Sequence, residues 1–444
     1  MEHNKYSGFI YESISLEDMM SEREWRSEKS RNLVLQNKGT VICMTMNLIG
    51  EYKKLPLSTA AFKVFCKLIN KTLNCSSFEM YSKPTGDVAF FITETSPEYT
   101  KAICEKIEDY ASIGRLFDID VFNYDGSKLS RTDKRKCLIC NNDAAECSRS
   151  RKHGVCEVRN KILNILSDYY AQFISDFAKQ ALIDEVNTTP KPGLVDRNNS
   201  GANSDMNYDM FINSSEAIAP FFGKLFSIGA ECTDISDKSF IESVKNIGLD
   251  AEKAMYLTTN NVNTHKGAIY SLGLISVGIG YALSGGGDLQ SAIDAAADIA
   301  LILSQNITDT NTHGIEVCKK YKVTGARGEA IGGFKTILYA FNRIKYYMDD
   351  RMLDTNNAYP LVLCDIMAVM TDTNVLHRGG QDALEFMRRE AGEISQMREN
   401  QRIDDLKDLD EDFIKKNISP GGCADALACA IFLIKSEMLF IDKV

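Results

Sequence analysis

The sequence predicts two domains, an amino-terminal α+β domain followed by an all-α helical domain. Its 444 residues exceed the size at which a single hydrophobic core usually stops growing. Residues 1–156 contain short β-rich runs between helical segments, whereas from residue 157 onward the apolar period is helical almost throughout. We therefore expect domains at 1–156 and 157–444, without a low-complexity linker between them.

The elements of the first domain follow in the order of a split βαβ fold. Ser15 opens a charged helix over residues 15–36, with Asp18 three residues later as its capping partner. The pattern then predicts strands at 41–49, 78–82, 88–93 and 116–122, and helices at 58–73 and 98–110. The order β-α-β-β-α-β is typical of two-layer α+β domains.

The second domain is predicted from helical periodicity. One face of its first long helix carries Ile162, Leu166, Tyr169, Phe173 and Phe177. Further helices are expected near 290–306, 332–347, 359–370, 381–398 and 423–438. No convincing strand pattern follows residue 157, so we expect a helical domain that carries its chemistry on interhelical loops.

Composition and charge exclude several classes of protein. With 44% hydrophobic and 25% charged residues the chain is globular, and a formal net charge of −10 argues against a nucleic-acid partner. The 13 cysteines and the lack of an apolar segment in residues 1–20 indicate reduced thiols in the cytoplasm. The uncharged stretch 267–287 is about long enough to cross a bilayer, but its Tyr, Ser and Gly content predicts a helix within a soluble bundle, without a membrane partner.

Five polar clusters that contain glycine interrupt the helical pattern, at 189–202, 263–267, 324–330, 371–380 and 419–425. In the first, Pro190 and Pro192 restrict the backbone, while Gly193 and Gly201 would let backbone N–H groups approach an anion closely. An ordinary turn between helices is the alternative. The recurrence of such clusters favours a site that binds phosphate.

These five clusters, in this order, resemble the family of triphosphoribosyl-dephospho-coenzyme A synthases over residues 158–444. The resemblance implies that dephospho-coenzyme A is joined to the ribose of ATP with loss of adenine. Displacement of a base at an anomeric carbon passes through an oxocarbenium-like state. Such a site needs a carboxylate near the sugar, a donor for the leaving base and cations for the triphosphate.

The clusters contain candidates for each of these roles. The candidate substrate contacts are Lys191, Asp196, Arg197, Asn263, Lys266, Arg327, Arg378 and Asp425. The candidate catalytic residues are His265, Glu329 and Asp372, of which the two carboxylates are also candidate ligands of Mg²⁺ or Mn²⁺. His265 would protonate the leaving adenine, with His377 as a competitor. A solvated charge or a helix cap is the alternative for each, and Asp425 is explained as well by a cap as by a ligand.

In the first domain, Asp118 and Asp120 lie two residues apart on a predicted strand and therefore project from the same face. Such a pair of carboxylates can hold Mg²⁺ or Mn²⁺ against a phosphate, and a solvated strand face is the alternative. Residues 130–159 carry eight basic side chains against four acidic ones, which predicts a local anion site.

Over residues 15–156 this domain resembles the apo-citrate lyase phosphoribosyl-dephospho-coenzyme A transferases, also called citrate lyase holo-acyl-carrier-protein synthases. The similar segments are 23–26, 47–50, Lys53, 114–121, 137–140 and 147–153, although residues 48–51 lack the prolines expected around Gly50. The resemblance implies that a serine of the acyl carrier subunit attacks the α-phosphate of the triphosphoribosyl group and that pyrophosphate leaves. It assigns catalysis and metal binding to Asp118 and Asp120, and substrate binding to Arg23, Arg26, Lys53, Arg115, Arg149 and Arg151.

Four potential metal ligands, Cys137, Cys140, Cys147 and His153, have the spacing C-x2-C-x6-C-x5-H. This spacing suits a tetrahedral Zn²⁺ site. Reduced thiols in a turn are the interpretation that the sequence favours, because Cys232 and Cys318 stand unpaired elsewhere in the chain.

The sequence therefore leads to the hypothesis of a bifunctional cytoplasmic transferase whose protein partner is the acyl carrier subunit of citrate lyase. Its substrates would be ATP and 3′-dephospho-CoA. A helical nucleoside or ADP-ribosyl hydrolase is one alternative. A nucleotide-sensing adaptor that binds the carrier through its basic patch is another. The sequence leaves the oligomeric state open.

Overall fold

The computed structural model describes residues 12–305, 317, 320–397 and 399–440, with only the backbone at 400 and 401. These residues form two units, 12–169 and 170–440, and the division lies inside one long helix. The first unit is α+β and the described part of the second is helical, so the predicted fold class is confirmed. Residue 306, which ends a predicted helix, and Cys318 lie outside the described residues.

The first unit contains an antiparallel sheet with the strand order β2-β3-β1-β4. Its strands are β1 (Thr40–Met46), β2 (Ser77–Lys83), β3 (Gly86–Thr93) and β4 (Phe117–Phe122). Its helices are α1 (Leu16–Gln36), α2 (Pro56–Thr72), α3 (Pro97–Glu108), α4 (Ala111–Gly114) and α5 (Ala144–Arg149). The predicted split βαβ order is therefore confirmed, and β4 lies at an edge of the sheet.

Helix α1 begins and packs as its sequence predicts. The Asp18 backbone N–H donates to Ser15 Oγ over 3.1 Å, and the Ser15 backbone N–H donates to Asp18 Oδ2 over 2.9 Å. This reciprocal pair is a capping box, which satisfies two backbone donors of the helix start. Farther along α1, Trp25 and Leu33 pack on the sheet face that contains Cys43 of β1.

The second unit consists of helices in its described residues, without a strand among them. They are α6 (Val155–Asn187, which begins in the first unit), α7 (Tyr208–Glu231), α8 (Lys238–Thr258), α9 (Lys266–Gly285), α10 (Leu289–Gln305), α11 (Gly325–Ile331), α12 (Lys335–Lys345), α13 (Thr355–Val369), α14 (Thr373–Ser395), α15 (Glu399–Lys415) and α16 (Gly421–Glu437). A π-helical turn, Tyr346–Asp350, continues α12.

The apolar face predicted for α6 is partly wrong. Ile162 and Leu166 are buried as expected, but Tyr169, Phe173 and Phe177 are only half-buried. The buried face instead continues through the positions one residue later in the sequence, which are Tyr170, Ile174, Ala178 and Leu182. Close approach of α7 explains the shift, because a Cβ at Gly223 would overlap Ser175 Oγ of α6. A prediction based on large aromatic residues misses a buried face that also contains small residues such as Ala178.

Helix α9 is long and apolar enough to cross a membrane, and 83% of its apolar window is buried. Helices α13 and α14 pass the same test only if they are joined across a bend of 60°. Small residues let the neighbours of α9 approach closely, since a Cβ at Gly278 would overlap Ala292 O of α10 and one at Gly280 would overlap Phe226 O of α7. The burial of α9 is typical of a core helix in a helical bundle, which is the arrangement that its small residues predicted.

Candidate active sites

A cavity of about 260 Å³ lies where several segments of the second unit meet. Its wall includes side chains from α6, from the loop 189–203, from the segment before α9, and from the starts of α14 and α16. The ionisable or polar residues that matter below are Glu185, Lys191, Asn263, His265, Arg378 and Asp425. All of these except Glu185 were predicted as site residues, and they come together from four of the five clusters.

Three helices begin at the wall of this cavity. Helix α9 begins directly after His265, α14 begins one residue before Asn374, and α16 begins at Gly421. The first N–H groups of a helix have no partner within the helix, and the aligned peptide dipoles make this end positive. The positive ends of these helices favour an anion in the cavity through their dipoles, but Asp372 and Asn263 already accept from several of their first N–H groups.

Lys191 forms a buried ion pair at the cavity wall. Its ammonium group contacts Glu185 Oε1 and donates to Val195 O over 3.0 Å, and Lys191 is only 2% exposed. Burial raises the pKa of Glu185, although the Lys191 charge acts in the opposite direction. The alternative of a solvated loop charge is therefore excluded for Lys191 in this structure.

His265 is held as a neutral ring by a chain of hydrogen bonds. Thr264 Oγ1 donates to Ser214 Oγ over 2.8 Å, and Ser214 Oγ lies 2.8 Å from His265 Nδ1. Ser214 accepts the Thr264 proton, and where its own hydroxyl proton is donated to Nδ1, the ring proton of His265 lies on Nε2. His265 Nε2 is buried and has no protein partner.

Burial, and secondarily the charge of Lys191, lowers the pKa of His265 to about 3. An imidazolium that could give up a proton is therefore scarce at neutral pH in the unliganded site. Protonation of the leaving base by His265 is therefore not favoured by its surroundings. A hydrogen bond from the neutral ring to that base stays a prediction.

Asp425 is the fifth residue of α16 and packs against the start of α9. A Cβ at Gly267 would overlap Asp425 Oδ2, so only glycine leaves room for this carboxylate. Burial of the carboxyl group, followed by the nearby charges of Glu185 and Asp372, raises the pKa of Asp425 well above its usual value. Asp425 also accepts a hydrogen bond from the Ala268 N–H, so it caps the start of α9, one of the two roles predicted for it. In its ionised form, a carboxylate with a raised pKa is a stronger base.

Asp372 and Glu329 do not line the cavity, and backbone groups occupy their oxygens. Asp372 Oδ1 accepts from Asn374 N and Val375 N, and Oδ2 accepts from Cys423 N over 2.9 Å. Glu329 Oε1 accepts from Thr336 N over 2.5 Å, at the start of α12. These contacts cap helices and do not favour metal binding by either carboxylate. The metal-binding role of Asp372 and Glu329 stays a prediction.

The other predicted contacts mostly hold loops together. Arg378 donates to Ala202 O over 2.8 Å and to Asn203 Oδ1 over 2.5 Å. Four further predicted residues lie outside the cavity wall. Asp196 Oδ1 accepts from Asn198 N, and Arg197 donates to Asn187 Oδ1. Lys266 pairs with Glu252, and Arg327 lies within electrostatic range of Tyr270. The substrate roles of Asp196, Arg197, Lys266 and Arg327 stay predictions.

Sequence reasoning missed Asp410, which anchors the loop 189–202. Asp410 Oδ1 accepts from Gly193 N over 2.8 Å, and Oδ2 accepts from Asn199 Nδ2 over 2.8 Å. The Gly193 N–H therefore donates to a carboxyl group, as its predicted approach to an anion requires, but the group is the side chain of Asp410 and not a substrate phosphate. Glu185 and Ser214 were missed as well, since each looks like one polar position on a helix and only tertiary packing directs it to the site.

In the first unit, Asp118 and Asp120 lie on the edge strand β4. The alternating burial of β4 places Ile119 in the core and both aspartates on the opposite face, as predicted. Lys128 Nζ pairs with Asp120, and Arg135 Nη2 lies 3.8 Å from Asp118 Oδ1. Lys128 was missed because it precedes the basic run, although its position two residues before that run was a usable signal.

The other predicted cations of this unit have varied surroundings. Arg26 has a buried Nε without a hydrogen-bond partner and lies, like Asp118 and Asp120, within electrostatic range of Cys43. Burial and the Arg23 charge lower the pKa of Lys53, whose Nζ donates to Leu48 O over 2.8 Å. Arg115 donates to Lys136 O, Arg149 donates to Ala145 O over 3.2 Å, and Arg151 is exposed.

Comparison with known proteins divides the chain in the same two parts. A family described as apo-citrate lyase phosphoribosyl-dephospho-CoA transferase matches residues 14–169. A family described as ATP:dephospho-CoA triphosphoribosyl transferase matches residues 171–442.

Individual relatives extend this similarity over nearly the whole chain. Protein CitXG of Haemophilus influenzae is 34% identical over 95% of this chain and 96% of its own length. Protein CitXG of Leuconostoc mesenteroides subsp. cremoris is 30% identical, with 96% and 97% covered. The 2-(5″-triphosphoribosyl)-3′-dephosphocoenzyme-A synthase of Haemophilus ducreyi is 34% identical over 67% of this chain and 98% of its own length.

Proposed function

The chain belongs to the family of fused bifunctional proteins of citrate lyase maturation, and from this premise we propose which residues carry its two reactions. It forms 2′-(5″-triphosphoribosyl)-3′-dephospho-CoA from ATP and 3′-dephospho-CoA with release of adenine. It then transfers the phosphoribosyl-dephospho-CoA group to the apo acyl carrier subunit of citrate lyase. We assign the transfer to residues 1–156 and the synthesis to residues 157–444.

The cavity of the second unit is the proposed site of synthesis. The triphosphate of ATP binds where α9, α14 and α16 begin, with Lys191 and Arg378 as the cationic side chains. Glu185 keeps Lys191 extended toward the cavity wall. Asn263 supplies amide contacts to the substrate at the same wall.

In the reaction, the 2′-hydroxyl oxygen of dephospho-CoA attacks the anomeric carbon of the ATP ribose as the bond to adenine breaks. Asp425, with its raised pKa, accepts the hydroxyl proton. His265, with its ring proton placed on Nε2, donates a hydrogen bond to the ring nitrogen of adenine that receives the bonding electrons. That nitrogen takes up a proton from water as adenine leaves, and Asp425 afterwards releases the hydroxyl proton to water, so one proton passes in total from the hydroxyl group to adenine. The observation that carries this proposal is that His265 and Asp425 line one cavity together with Lys191.

The edge of β4 in the first unit is the proposed site of transfer. Asp118 and Asp120 fit Mg²⁺ or Mn²⁺, because they present hard oxygen ligands on one strand face. When bound, the ion would neutralise charge on the phosphates. Lys128 pairs with Asp120 and Arg135 lies beside Asp118, and these cations would support departure of pyrophosphate after attack by the carrier serine. Arg26, which like the aspartates lies within electrostatic range of Cys43, would add to their charge. Arg23, Lys53, Arg115, Arg149 and Arg151 extend this cationic surface.

The described cysteines are all free, which supports a reducing compartment, and we propose that the protein works in the cytoplasm. Glu329 is assigned to positioning of α12 rather than to contact with ATP. The variant Glu329→Gln decides between these roles. A complete loss of adenine release in a variant of unchanged stability would show that Glu329 takes part in the reaction.

Mass spectrometry of the apo carrier subunit tests the whole proposal. After incubation with ATP, 3′-dephospho-CoA, Mg²⁺ and this protein, the carrier gains the mass of phosphoribosyl-dephospho-CoA, and adenine accumulates in solution. Free ribose triphosphate without a coupled product would instead indicate a hydrolase. ATP binding without any adenine release would indicate an adaptor.

A further inference from the structure

The segment between β4 and α6 has almost no hydrophobic core of its own. Within residues 122–154, all of which the structure describes, the buried residues are Cys137 and Cys147. The segment contains one short helix, α5, and isolated bridges at Phe122–Lys128 and Lys136–Asp143. A stretch of this length without a core needs another source of order, such as a bound metal.

The two buried cysteines belong to a cluster of four potential metal ligands. The Sγ atoms of Cys137, Cys140 and Cys147 and a ring nitrogen of His153 all lie within 4.8 Å of one another. Cys140 Sγ is 3.5 Å from Cys147 Sγ and 3.3 Å from His153 Nε2. Thiolates about 2.3 Å from a tetrahedral zinc ion stand about 3.8 Å apart, so the ligand atoms nearly match that geometry.

The backbone around the cysteines is arranged as in a metal-binding turn. Ile139 N lies 3.5 Å from Cys137 Sγ, and Asn142 N donates to Cys140 Sγ, so each sulfur accepts from the residue two positions later. Such N–H donors stabilise thiolates, which are the form that binds metal. Asn141 has φ 58°, which closes this turn.

The surroundings supply two further features of a structural metal site. His153 Nδ1 lies 3.4 Å from Glu157 Oε2, so the carboxylate orients the ring and leaves Nε2 directed at the cysteines. Three thiolates and one neutral imidazole around a divalent ion carry a net charge of −1. The basic side chains of the segment, Lys134, Arg135, Lys136, Arg149, Arg151 and Lys152, compensate this charge.

We infer that Cys137, Cys140, Cys147 and His153 bind a structural Zn²⁺ ion with closed tetrahedral coordination. Three sulfurs and one nitrogen are the ligand set that zinc prefers over harder cations. The ion orders residues 123–154 and thereby holds Arg135 against β4, where it donates to Phe117 O over 2.6 Å beside Asp118. The inference does not depend on the proposed chemistry of either unit.

Elemental analysis of the full chain tests metal binding. We expect about one zinc per wild-type chain, retention of zinc in His153→Cys, and its loss in Cys140→Ser and His153→Ala. The matched control is Cys156→Ser, because Cys156 is exposed and close in sequence but outside the cluster. A wild-type chain that contains no zinc and binds no added Co²⁺ overturns the inference, and so does a loss in Cys156→Ser equal to that in Cys140→Ser.

Limited trypsin digestion of the wild-type chain tests the ordering role and requires no variant to fold. The segment has many Lys and Arg sites, so chelation of zinc is expected to speed cleavage within residues 131–152 by at least about tenfold, and re-addition of Zn²⁺ restores protection. Cleavage at the same rate with and without chelator would overturn the ordering role. A disulfide between Cys140 and Cys147 in freshly reduced, zinc-supplemented protein would overturn the metal site.

Discussion

At the scale of single residues, the second unit encloses ionisable groups that each need a particular partner. His265 is neutral because burial and Lys191 disfavour its charged form, and Lys191 is charged opposite Glu185. Burial of an unpaired charge costs several kcal/mol, so such groups persist only with their partners in place. The contribution of each group to the free energy of unfolding can therefore be measured independently of enzyme activity.

The buried neutral His265 predicts a pH dependence of stability. Its pKa is about 3 in the folded chain and near the ordinary 6.5 when unfolded, so the unfolded state binds more protons between these values. Stability is therefore lost as the pH falls below 6.5. From pH 7 to pH 5 the wild type should lose about 2 kcal/mol more unfolding free energy than His265→Gln, measured by urea denaturation. Parallel losses in the two proteins would contradict the neutral assignment.

Lys191→Met should destabilise the second unit by about 3–5 kcal/mol, because it leaves Glu185 buried without a counter-charge. The double variant Glu185→Gln/Lys191→Met should regain most of this stability but remain without adenine release. Lys253→Met is the control, since its pair with Asp250 is exposed and worth about 1 kcal/mol or less. Recovery of adenine release in the double variant would limit Lys191 to a structural role.

At the scale of elements, several polar clusters expected to be loops are the first turns of helices. Arg378 lies in α14, and the cluster 324–330 nearly coincides with α11. The residues that interrupt an apolar period, Asp, Thr, Pro and Gly, are also those that start helices. The sequence therefore located the polar clusters, but the distinction between a loop and a helix start needed the backbone.

Gly267→Ala tests how closely α16 approaches α9. The added Cβ would displace Asp425 Oδ2, so adenine release should fall at least about tenfold. The control is Gly248→Ala in α8, where the added Cβ meets open space and should stabilise the helix by about 0.5–1 kcal/mol without changing activity. Chromatographic quantification of adenine and thermal melts provide the two measurements. Equal activity of both variants would remove Asp425 from the reaction.

Asp410→Ala tests the anchor between α15 and the loop 189–202. The change leaves the Gly193 N–H without its acceptor and frees Asn199, so the KM for ATP should rise more than kcat falls. Asp412→Ala, on the same helix but exposed, should match the wild type. A fall in kcat at unchanged KM would argue against a positioning role.

At the scale of the whole molecule, the two family matches lie in separate units, and we propose that each unit carries one of the two reactions. A tether raises the effective concentration of the intermediate near the second site, although direct channelling does not follow from fusion. Each activity should therefore be removable without loss of the other.

Asp118→Asn should abolish modification of the carrier but leave adenine release unchanged. Asp425→Asn should abolish adenine release but still modify the carrier when triphosphoribosyl-dephospho-CoA is supplied. Mixing the two variants should restore carrier modification through the diffusing intermediate, as measured by mass spectrometry. The control Asp133→Asn, at an exposed position of the same unit as Asp118, should retain both activities. Loss of both activities in either variant at unchanged stability would contradict the separation.

The sequence by itself determined the fold class, the βαββαβ order, the capping box of α1 and the recurring polar clusters, because periodicity and capping are local properties of the chain. Only the tertiary structure decided which clustered residues face one cavity and which cap helices. It also revealed Glu185, Ser214, Asp410 and Lys128. Glu185, Ser214 and Asp410 act through partners in other segments, about which residue spacing carries no information, whereas the position of Lys128 beside the basic run was a signal in the sequence.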